Sequence, residues 1–354
     1  GAFILKGIKI DTLVVEKDAR RALAKAVSIF MEKQPATIIA ITGTNGKTSV
    51  ATFCRQLWNA MGINGINIGT TGIEGSWSAP LNYTTPDPVK LHEVLSKAVS
   101  EGITHVAMEA SSHGLDQRRL DGVEIKAAAF TNFSRDHLDY HVSIEDYFNA
   151  KKGLFERLCP KGKVGVFNID NKEIKKLCDW YALNNDVLTI GHDEMADLVI
   201  LDQKFNSTSQ EVRFSFKDKI YQKSINLIGT FQAEKLLMAA LLVISSGCKE
   251  SEVFELLETI KPVRGRMELA ATRRNGASVY VDYAHTPEAI EVALKSLKPH
   301  ILGKLIVIIG AGGERDEGKR PLMGLAAEKH SDFVIITDDN PRNEDPELIH
   351  QMIK

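Results

Sequence analysis

The chain has 354 residues, enough for two or three domains, and a net charge of −2 at pH 7. Hydrophobic residues make up 44% and charged residues 25%, as in an ordinary globular protein. This balance argues against a nucleic-acid partner, and no apolar run of transmembrane length or signal pattern is present. Four scattered cysteines without metal-ligand spacing favour a reduced cytoplasmic protein.

Apolar segments of strand length alternate with helix-like segments in the first half of the chain. The predicted strands are 36–41, 104–108, 127–130 and 163–167, and the predicted helices are 49–61, 89–100 and 144–158. Such alternation is typical of a mainly parallel sheet that is covered on both faces. The sequence therefore predicts an α/β fold.

The pattern changes in the second half. Residues 186–227 form short alternating segments, which predict a small antiparallel patch. The later predicted elements are helices at 233–246, 251–260 and 346–354, a hinge at 261–266, and strands at 278–281, 305–309 and 333–336. We interpret the part after the hinge as a second, incomplete α/β unit. Because the chain also begins with Gly1, we expect it to be part of a longer polypeptide.

A glycine-rich loop, Thr42-Gly43-Thr44-Asn45-Gly46-Lys47-Thr48, joins the first predicted strand to its helix. Glycines let backbone N–H groups approach phosphates, and a helix N-terminus adds positive potential. Lys47 can reach the β- and γ-phosphates, and the Thr48 hydroxyl can bind Mg²⁺. Only two residues separate the glycines, so we interpret the loop as a compact phosphate-binding variant. The alternative is a glycine-rich turn with a chance lysine.

Two polar clusters follow later strands. Glu109 lies at the carboxyl end of a predicted strand, where open α/β sheets bind ligands, and is a candidate Mg²⁺ ligand. A capping or solvated glutamate is the alternative. The run from Thr131 to His141 contains two histidines, two aspartates and an arginine, and predicts a polar site. A metal-binding role for one of its histidines is possible on this pattern.

Six motifs occur in order along most of the chain: TGTNGKTS, MEASSHGLDQRRL, TNFSRDHLDYH, YFNAKKGLF, VDYAHTP and GERDEGKRPLMG. Together they resemble the Mur ligases, and most closely the members that add the third residue of the peptidoglycan stem peptide. The resemblance implies a central P-loop NTPase-like domain with a parallel sheet at 18–262 and an incomplete Rossmann-like domain at 263–354. Residues 1–17 would then be a remnant of an N-terminal uridine-binding domain and its linker.

The resemblance also implies an activity. The enzyme would join UDP-N-acetylmuramoyl-L-alanyl-D-glutamate to meso-diaminopimelate, using ATP and Mg²⁺ and passing through an acyl-phosphate. It would be a cytoplasmic monomer without a nucleic-acid or membrane partner.

Individual roles follow from the matched positions. The implied ATP-binding residues are Gly43, Thr44, Asn45, Gly46, Lys47, Thr48, Ser49, Arg266, Asp282 and His285. The implied metal ligands are Thr48, Glu109, His137 and Lys151, and the implied catalytic set is Lys47, Glu109, His137 and Lys151. Lys151 matches the carbamylated lysine of the family. A carbamate turns an ammonium into a carboxylate-like group, which explains how a lysine can be a metal ligand. The residues alone favour an exposed helical lysine, and the adjacent Lys152 is a second possibility.

Two further sets match substrate positions. The implied contacts to the muramoyl peptide are Thr84, Thr85, Ser111, Gln117 and Arg119. The implied contacts to meso-diaminopimelate are Arg315, Asp339, Asn340, Pro341 and Arg342. Arg342 can bind a carboxylate bidentately, and meso-diaminopimelate has a distal carboxylate that L-lysine lacks. A simple turn at Asn340-Pro341 is compatible with this role.

Some positions depart from the family pattern. Gln232 and Lys235 replace the usual asparagines, which leaves the adenine-side contacts open, and Arg264 stands where proline is frequent. Two alternative functions remain on the sequence alone. One is a ligase that uses L-lysine or another acceptor, as folylpolyglutamate synthetases do. The other is a nucleotide-dependent binding protein without ligation.

Overall fold

A ten-stranded sheet dominates the computed structural model, which describes residues 15–206 and 208–354. Its strands are β1 (Thr37–Thr42), β2 (Gly65–Gly69), β3 (Gly72–Gly75), β4 (His105–Glu109), β5 (Ile125–Phe130), β6 (Val164–Asn168), β7 (Asp186–Gly191), β8 (Leu198–Phe205), β9 (Gln210–Phe216) and β10 (Lys219–Ile225). The spatial order is β10-β9-β8-β7-β6-β5-β1-β4-β2-β3. The run from β8 to β2 is parallel, and β3, β9 and β10 pair antiparallel at the two edges. The predicted α/β fold with a mainly parallel sheet is confirmed.

Helices cover both faces of this sheet. They are α1 (Ala19–Met31), α2 (Lys47–Ala60), α3 (Pro88–Ser100), α4 (Ser112–Asp116), α5 (Ile144–Gly153), α6 (Lys172–Ala182), α7 (Thr230–Ser245) and α8 (Glu250–Glu255). A π-helical turn, Leu154–Leu158, continues α5, and a 3₁₀ turn, Leu256–Thr259, continues α8. One core holds buried side chains of α2 and α7, and the other holds those of α3, α6 and the π-helical turn. All six residues of β1 are buried because both of its faces are covered.

The small antiparallel patch predicted at 186–227 is confirmed for β8, β9 and β10, which pair antiparallel, and is wrong for β7. Strand β7 pairs parallel with β6 and β8, and β8 to β10 extend the main sheet. The alternation that suggested a patch reflects one exposed face: Phe214 and Phe216 pack on Phe254 while Arg213 points to solvent. Alternation reports which face of a strand is buried, and it carries no information about the neighbouring strand.

A second α/β unit follows. It contains the antiparallel pair β11 (Glu268–Thr272) and β12 (Ser278–Val281), the parallel pair β13 (Ile306–Ile309) and β14 (Phe333–Ile336), and the helices α9 (Pro287–Leu297), α10 (Arg320–His330) and α11 (Pro346–Ile353). Its core includes Leu294, Met323 and Ile349. The three strands predicted here are confirmed as strands. The sequence did not predict α1, α6, α9, α10, β2, β3 and β11.

The boundaries predicted after residues 17 and 262 remain predictions, and residues 1–14 lie outside the described part of the chain. Within that part, none of the helices has both the length and the apolar character needed to cross a membrane.

Phe130, at the end of β5, tests how strongly the core supports the polar loop that follows it. The ring is fully buried and stacks on Phe148 and Phe155 and, edge-on, on Phe133. We expect Phe130→Ala to lower the free energy of unfolding by about 3–5 kcal/mol, because the cavity is only partly refilled. Val142, which is 97% exposed, provides the control. Val142→Ala should change the value by less than about 0.5 kcal/mol in the same urea titration. Equal effects of the two substitutions would contradict this packing.

Candidate functional site

The carboxyl ends of three neighbouring strands meet at one edge of the sheet. In the parallel register, Ile41 of β1 lies opposite Glu109 of β4, and Thr42 lies opposite Phe130 of β5. The glycine-rich loop, the Glu109 segment and the run that starts at Thr131 therefore leave the sheet side by side. Such a crevice is where open α/β sheets bind ligands.

The loop backbone requires glycine at both of its glycine positions. Gly43 has φ +139°, and a Cβ there would lie 2.0 Å from Thr131 Oγ1. Gly46 has φ +88° and is the N-cap of α2, without a side-chain cap. The first N–H groups of α2 therefore have no side-chain acceptor, which leaves them available to an anion. This is the geometry of a phosphate-binding site.

Lys47 is the first residue of α2 and folds back over the loop. Its Nζ donates to the carbonyl oxygens of Gly43, at 2.9 Å, and Thr44, at 2.8 Å. Burial lowers the pKa of Lys47, while the carboxylates of Glu109 and Asp136 act in the opposite direction. The ammonium group thus lies between the loop and two acidic side chains.

The loop is bonded to the segment after β5. Thr44 Oγ1 donates to the carbonyl of Ser134 at 3.2 Å and accepts from its N–H at 3.0 Å. The Asn45 N–H donates to Asn132 Oδ1 at 2.8 Å, and Thr131 Oγ1 donates to the Asn45 carbonyl at 2.6 Å. Thr44 and Asn45 therefore hold the loop in place through hydrogen bonds with the segment after β5.

Lys151 and Lys152 are adjacent in α5 and have opposite environments. Lys151 is 1% exposed, donates to the Gly43 carbonyl at 2.8 Å and lies 4.4 Å from the Tyr147 ring centroid. Burial, together with the nearby Lys47 cation, holds the pKa of Lys151 well below its usual range. Lys152 instead forms an ion pair with Glu156 at 2.7 Å. Of the two lysines that the sequence left open, the structure brings Lys151 to the loop.

His137 lies in a group of aromatic side chains beside the loop. Its backbone has φ +53°, and its Nε2 is 3.5 Å from Asp136 Oδ2. Burial lowers its pKa to about 4, although Asp136 acts in the opposite direction. The rings of His113 and Tyr147 lie 4.9 and 5.9 Å from it, centroid to centroid. At neutral pH its imidazole is therefore uncharged, the form in which histidine binds metals.

Glu109 is buried and its carboxylate is oriented by one neighbour. The Thr70 N–H donates to Glu109 Oε1 at 2.7 Å, and the Thr70 hydroxyl donates to Oε2 at 3.3 Å. The carboxylate occupies space left by the missing side chain of Gly69, whose Cβ would lie 2.0 Å from Oε1. A tightly placed oxygen ligand of this kind suits a hard cation.

The residues present fit a Mg²⁺ ion that also binds phosphate and water oxygens better than they fit a metal ion whose ligands all come from the protein. Among the described residues, no group of three or more His, Cys, Asp or Glu side chains could hold a metal ion. Mg²⁺ is usually bound by one or two protein carboxylates together with phosphate and water oxygens. One buried carboxylate, that of Glu109, beside a phosphate-binding loop matches that requirement.

The five residues matched to the muramoyl peptide lie together. The Arg119 guanidinium donates to the Thr85 carbonyl and, at 2.6 Å, to Gln117 Oε1. The Ser111 N–H donates to Thr85 Oγ1 at 3.1 Å, and Thr84 Oγ1 is 3.1 Å from Thr70 Oγ1. Thr70 connects this group to Glu109, so a continuous polar surface joins the two.

Arg266 and Asp282 lie where the second unit meets the first. Arg266 Nη2 donates to Thr48 Oγ1 at 3.2 Å, and its guanidinium lies 4.6 Å from the Tyr283 ring centroid. Both Asp282 oxygens accept backbone N–H groups, from Met267 and Ala284 at 2.9 Å each. His285 Nδ1 is 3.0 Å from the Tyr283 carbonyl oxygen. Arg266 thus reaches the phosphate loop, whereas Asp282 shapes the backbone behind it.

The residues matched to meso-diaminopimelate lie on two adjoining loops, which follow β13 and β14. The Gly313 N–H donates to the Asn340 carbonyl at 2.9 Å, and Arg342, with φ +52°, donates to the Gly313 carbonyl. Arg315 and Asp339 are exposed. The structure therefore brings this set together on the surface of the second unit.

Three supporting residues were absent from the sequence prediction. Thr70 orients Glu109, and Tyr147 contacts both Thr44 and Lys151. Arg320 is 1% exposed and bonds Glu344 through two nitrogens, at 2.8 and 2.9 Å, beneath the loops that follow β13 and β14. Arg320 lies in the motif GERDEGKRPLMG and Tyr147 begins the motif YFNAKKGLF, and those motifs were the available signals; Thr70 lies outside all six motifs.

Two family models match the chain. The Mur ligase middle domain matches residues 41–243, and the Mur ligase glutamate ligase domain matches residues 265–354. The chain belongs to the Mur ligase family.

Two curated relatives of this Mur ligase carry the same name. A protein of Rhizobium meliloti (strain 1021), named UDP-N-acetylmuramoyl-L-alanyl-D-glutamate--2,6-diaminopimelate ligase, is 46% identical over 339 residues, which are 95% of this chain and 69% of the relative. A Caulobacter vibrioides protein with the same name is 42% identical over 357 residues, which are 99% of this chain and 73% of that protein.

Two solved structures have a similar fold. A structure titled with the same ligase name has a TM-score of 0.74 at 33% identity and covers 98% of this chain and 71% of its own. A Mycobacterium tuberculosis folylpolyglutamate synthase complexed with ADP has a TM-score of 0.77 at 17% identity and covers 96% of this chain and 82% of its own. At that identity the second structure supports the fold alone.

Gly69 provides a test of how Glu109 is placed. A methyl group at Gly69 would meet the Glu109 carboxylate, and moving it would break the two hydrogen bonds from Thr70. We expect Gly69→Ala to destabilise this Mur ligase by about 1–3 kcal/mol, as overpacking does. Gly303 is the matched control, because a Cβ there meets nothing within 4 Å. Denaturant unfolding that shows no difference between the two variants would contradict this placement.

Proposed function

We propose that this Mur ligase adds meso-diaminopimelate to UDP-N-acetylmuramoyl-L-alanyl-D-glutamate with cleavage of ATP to ADP and phosphate, in peptidoglycan precursor synthesis. The observation that carries the proposal is the convergence of the phosphate loop, Glu109 and Lys151 at one edge of the sheet. The relatives at 42–46% identity are named for this reaction.

ATP would bind with its phosphates at the N-terminus of α2. The backbone of Gly43 to Ser49 and the Lys47 ammonium would surround the β- and γ-phosphates, with Arg266 approaching from the second unit. Mg²⁺ would be held by Thr48 and Glu109, and a second ion by His137 and a carbamylated Lys151. When bound, the ions would neutralise negative charge on the phosphates.

The chemistry needs no side-chain nucleophile. A terminal carboxylate oxygen of the D-glutamate residue attacks the γ-phosphorus, and the bond to ADP breaks. The amine nitrogen of meso-diaminopimelate then attacks the acyl carbon; the bond to phosphate breaks, and the amine proton passes to solvent. Lys47 stabilises charge in the first step, and positioning supplies much of the remaining acceleration.

The acceptor would bind to residues of the first α/β unit and the amino acid to residues of the second. Thr84, Thr85, Ser111, Gln117 and Arg119 would hold the muramoyl dipeptide.

For the amino acid, Arg342 would bind the distal carboxylate of meso-diaminopimelate, with contributions from Arg315, Asp339, Asn340 and Pro341. L-lysine would leave Arg342 unpaired, which is the physical reason to expect discrimination. We further propose a cytoplasmic monomer, with a central domain at 18–262 and an amino-acid-binding domain at 263–354.

Phosphate release distinguishes ligation from a nucleotide-dependent binding protein. We expect rapid release from ATP only when UDP-N-acetylmuramoyl-L-alanyl-D-glutamate and meso-diaminopimelate are both present. L-lysine in place of meso-diaminopimelate should lower kcat/KM by at least about 100-fold, because the arginine would be left unpaired. A coupled phosphate assay on the full-length protein measures both. Full-rate release without acceptor would overturn ligation, and a preference for L-lysine would overturn the role of Arg342.

Carbamylation of Lys151 has a test of its own. Burial and the nearby Lys47 cation hold the pKa of Lys151 well below its usual range, which favours the uncharged amine that adds to CO₂; the product is an N-carboxylate and one proton is released. We expect a carbamate signal in ¹³C NMR spectra of protein equilibrated with ¹³C-bicarbonate. Lys151→Arg should abolish that signal.

Lys152→Arg, at the adjacent and partly exposed lysine, is the matched control and should retain the signal. Persistence of the carbamate in Lys151→Arg would refute the assignment.

A further inference from the structure

Lys235, in the second turn of α7, forms one wall of the phosphate loop. A Cβ on Gly46 would lie 2.9 Å from Lys235 Cε and 3.4 Å from both Cδ and Cγ. The aliphatic part of the side chain therefore crosses directly over the N-cap residue of α2. Anything that binds the first N–H groups of α2 must bind beside this lysine.

The ammonium group of Lys235 is not used within the described part of the chain. No hydrogen bond or ion pair joins its Nζ to another described residue, and the group lies 3.9 Å from the Phe231 ring centroid. Asp282 is near enough to favour the charged form, but its two oxygens already accept backbone N–H groups. The side chain is only partly exposed, and burial lowers its pKa to about 8.

The surroundings have an excess of positive charge. Lys47 lies on the loop itself, and Arg266 donates to Thr48 and weakens the charged form of Lys235. Helix α2 has no side-chain cap, and neither does α7, whose N-cap is Gly229. Three cationic side chains beside the uncapped N-terminus of α2 favour a ligand with several negative charges.

We propose that Lys235 is a further nucleotide-binding residue, whose ammonium contacts phosphate oxygens of a nucleoside polyphosphate from the α7 side of the loop. The inference rests on the proposed function for the identity of the ligand. It concerns this chain in particular, because the sequence pattern of the family has an amide at this position. Gln232, at the other departing position, donates to the Arg266 carbonyl at 3.1 Å and so contacts the hinge.

The test is a calorimetric titration, in the presence of Mg²⁺, with two separate probes: ADP and inorganic tripolyphosphate. Lys235→Gln should weaken the binding of both probes about 10- to 100-fold, the value of one charge-assisted contact. Lys235→Arg should stay within about threefold of the unchanged protein. Lys249→Gln is the control, since Lys249 is exposed and pairs only with Glu252 of its own helix.

Tripolyphosphate gives the decisive comparison because it has no nucleoside. Loss of ADP affinity in Lys235→Gln with unchanged tripolyphosphate affinity would overturn the proposal, since the amine would then contact base or ribose. Unchanged affinity for both would overturn it as well. Should Lys235→Gln fail to fold, Lys235→Asn, the residue usual in the family, takes its place with the same expectation.

Binding is measured without acceptor or amino acid, so this result is independent of ligation. A protein that binds both probes through Lys235 but forms no amide bond would leave this proposal intact and refute the proposed function.

Discussion

The carbonyl oxygen of Gly43 accepts hydrogen bonds from two lysines, Lys47 on the loop and Lys151 on α5. Two full positive charges on one acceptor repel each other, which favours the loss of one charge or the gain of a compensating anion. The side chain of Lys151 is less exposed than that of Lys47, and its pKa is held well below the usual range. That constraint is the physical basis of the carbamate proposal. Glycine is needed at this position for a steric reason: a side chain at Gly43 would collide with Thr131 and separate the loop from the segment after β5.

The same site depends on contacts between the two α/β units. Arg266 contacts Thr48 through its side chain and Gln232 through its carbonyl oxygen. The Gly229 N–H donates to His300 Nε2 at 3.2 Å across the same boundary. A nucleotide at the loop therefore lies beside residues of both units, and its phosphates can couple their relative positions. Such coupling suits a ligase, because a reactive acyl-phosphate must be kept from water until the amine arrives.

Two residues outside the predicted binding sets, Thr70 and Arg320, hold predicted ones in place. Thr70 lies between Thr84 and Glu109, so a change at Thr84 reaches the carboxylate through one residue. On the other unit, the buried Arg320 bonds both Glu344 and the Gly312 carbonyl, and so ties together the loops that carry Arg315 and Arg342. Both arrangements limit the orientations open to the predicted site residues, as supporting hydrogen bonds around a binding site do.

The sequence by itself determined the α/β class, the phosphate loop and the family, because these depend on local periodicity and on residues that are adjacent in the chain. It also selected Glu109, His137, Lys151 and Arg342 by their motifs. Within 186–227 it predicted the antiparallel pairing of β8 to β10 and missed the parallel pairing of β7, since alternation reports a buried face and not a neighbouring strand. Only the tertiary structure separated Lys151 from Lys152, joined Thr70 to Glu109, and placed Lys235 against Gly46 from 189 positions away along the chain. Those relations arise from strand register and helix packing, which bring distant residues together and leave no local trace in the chain.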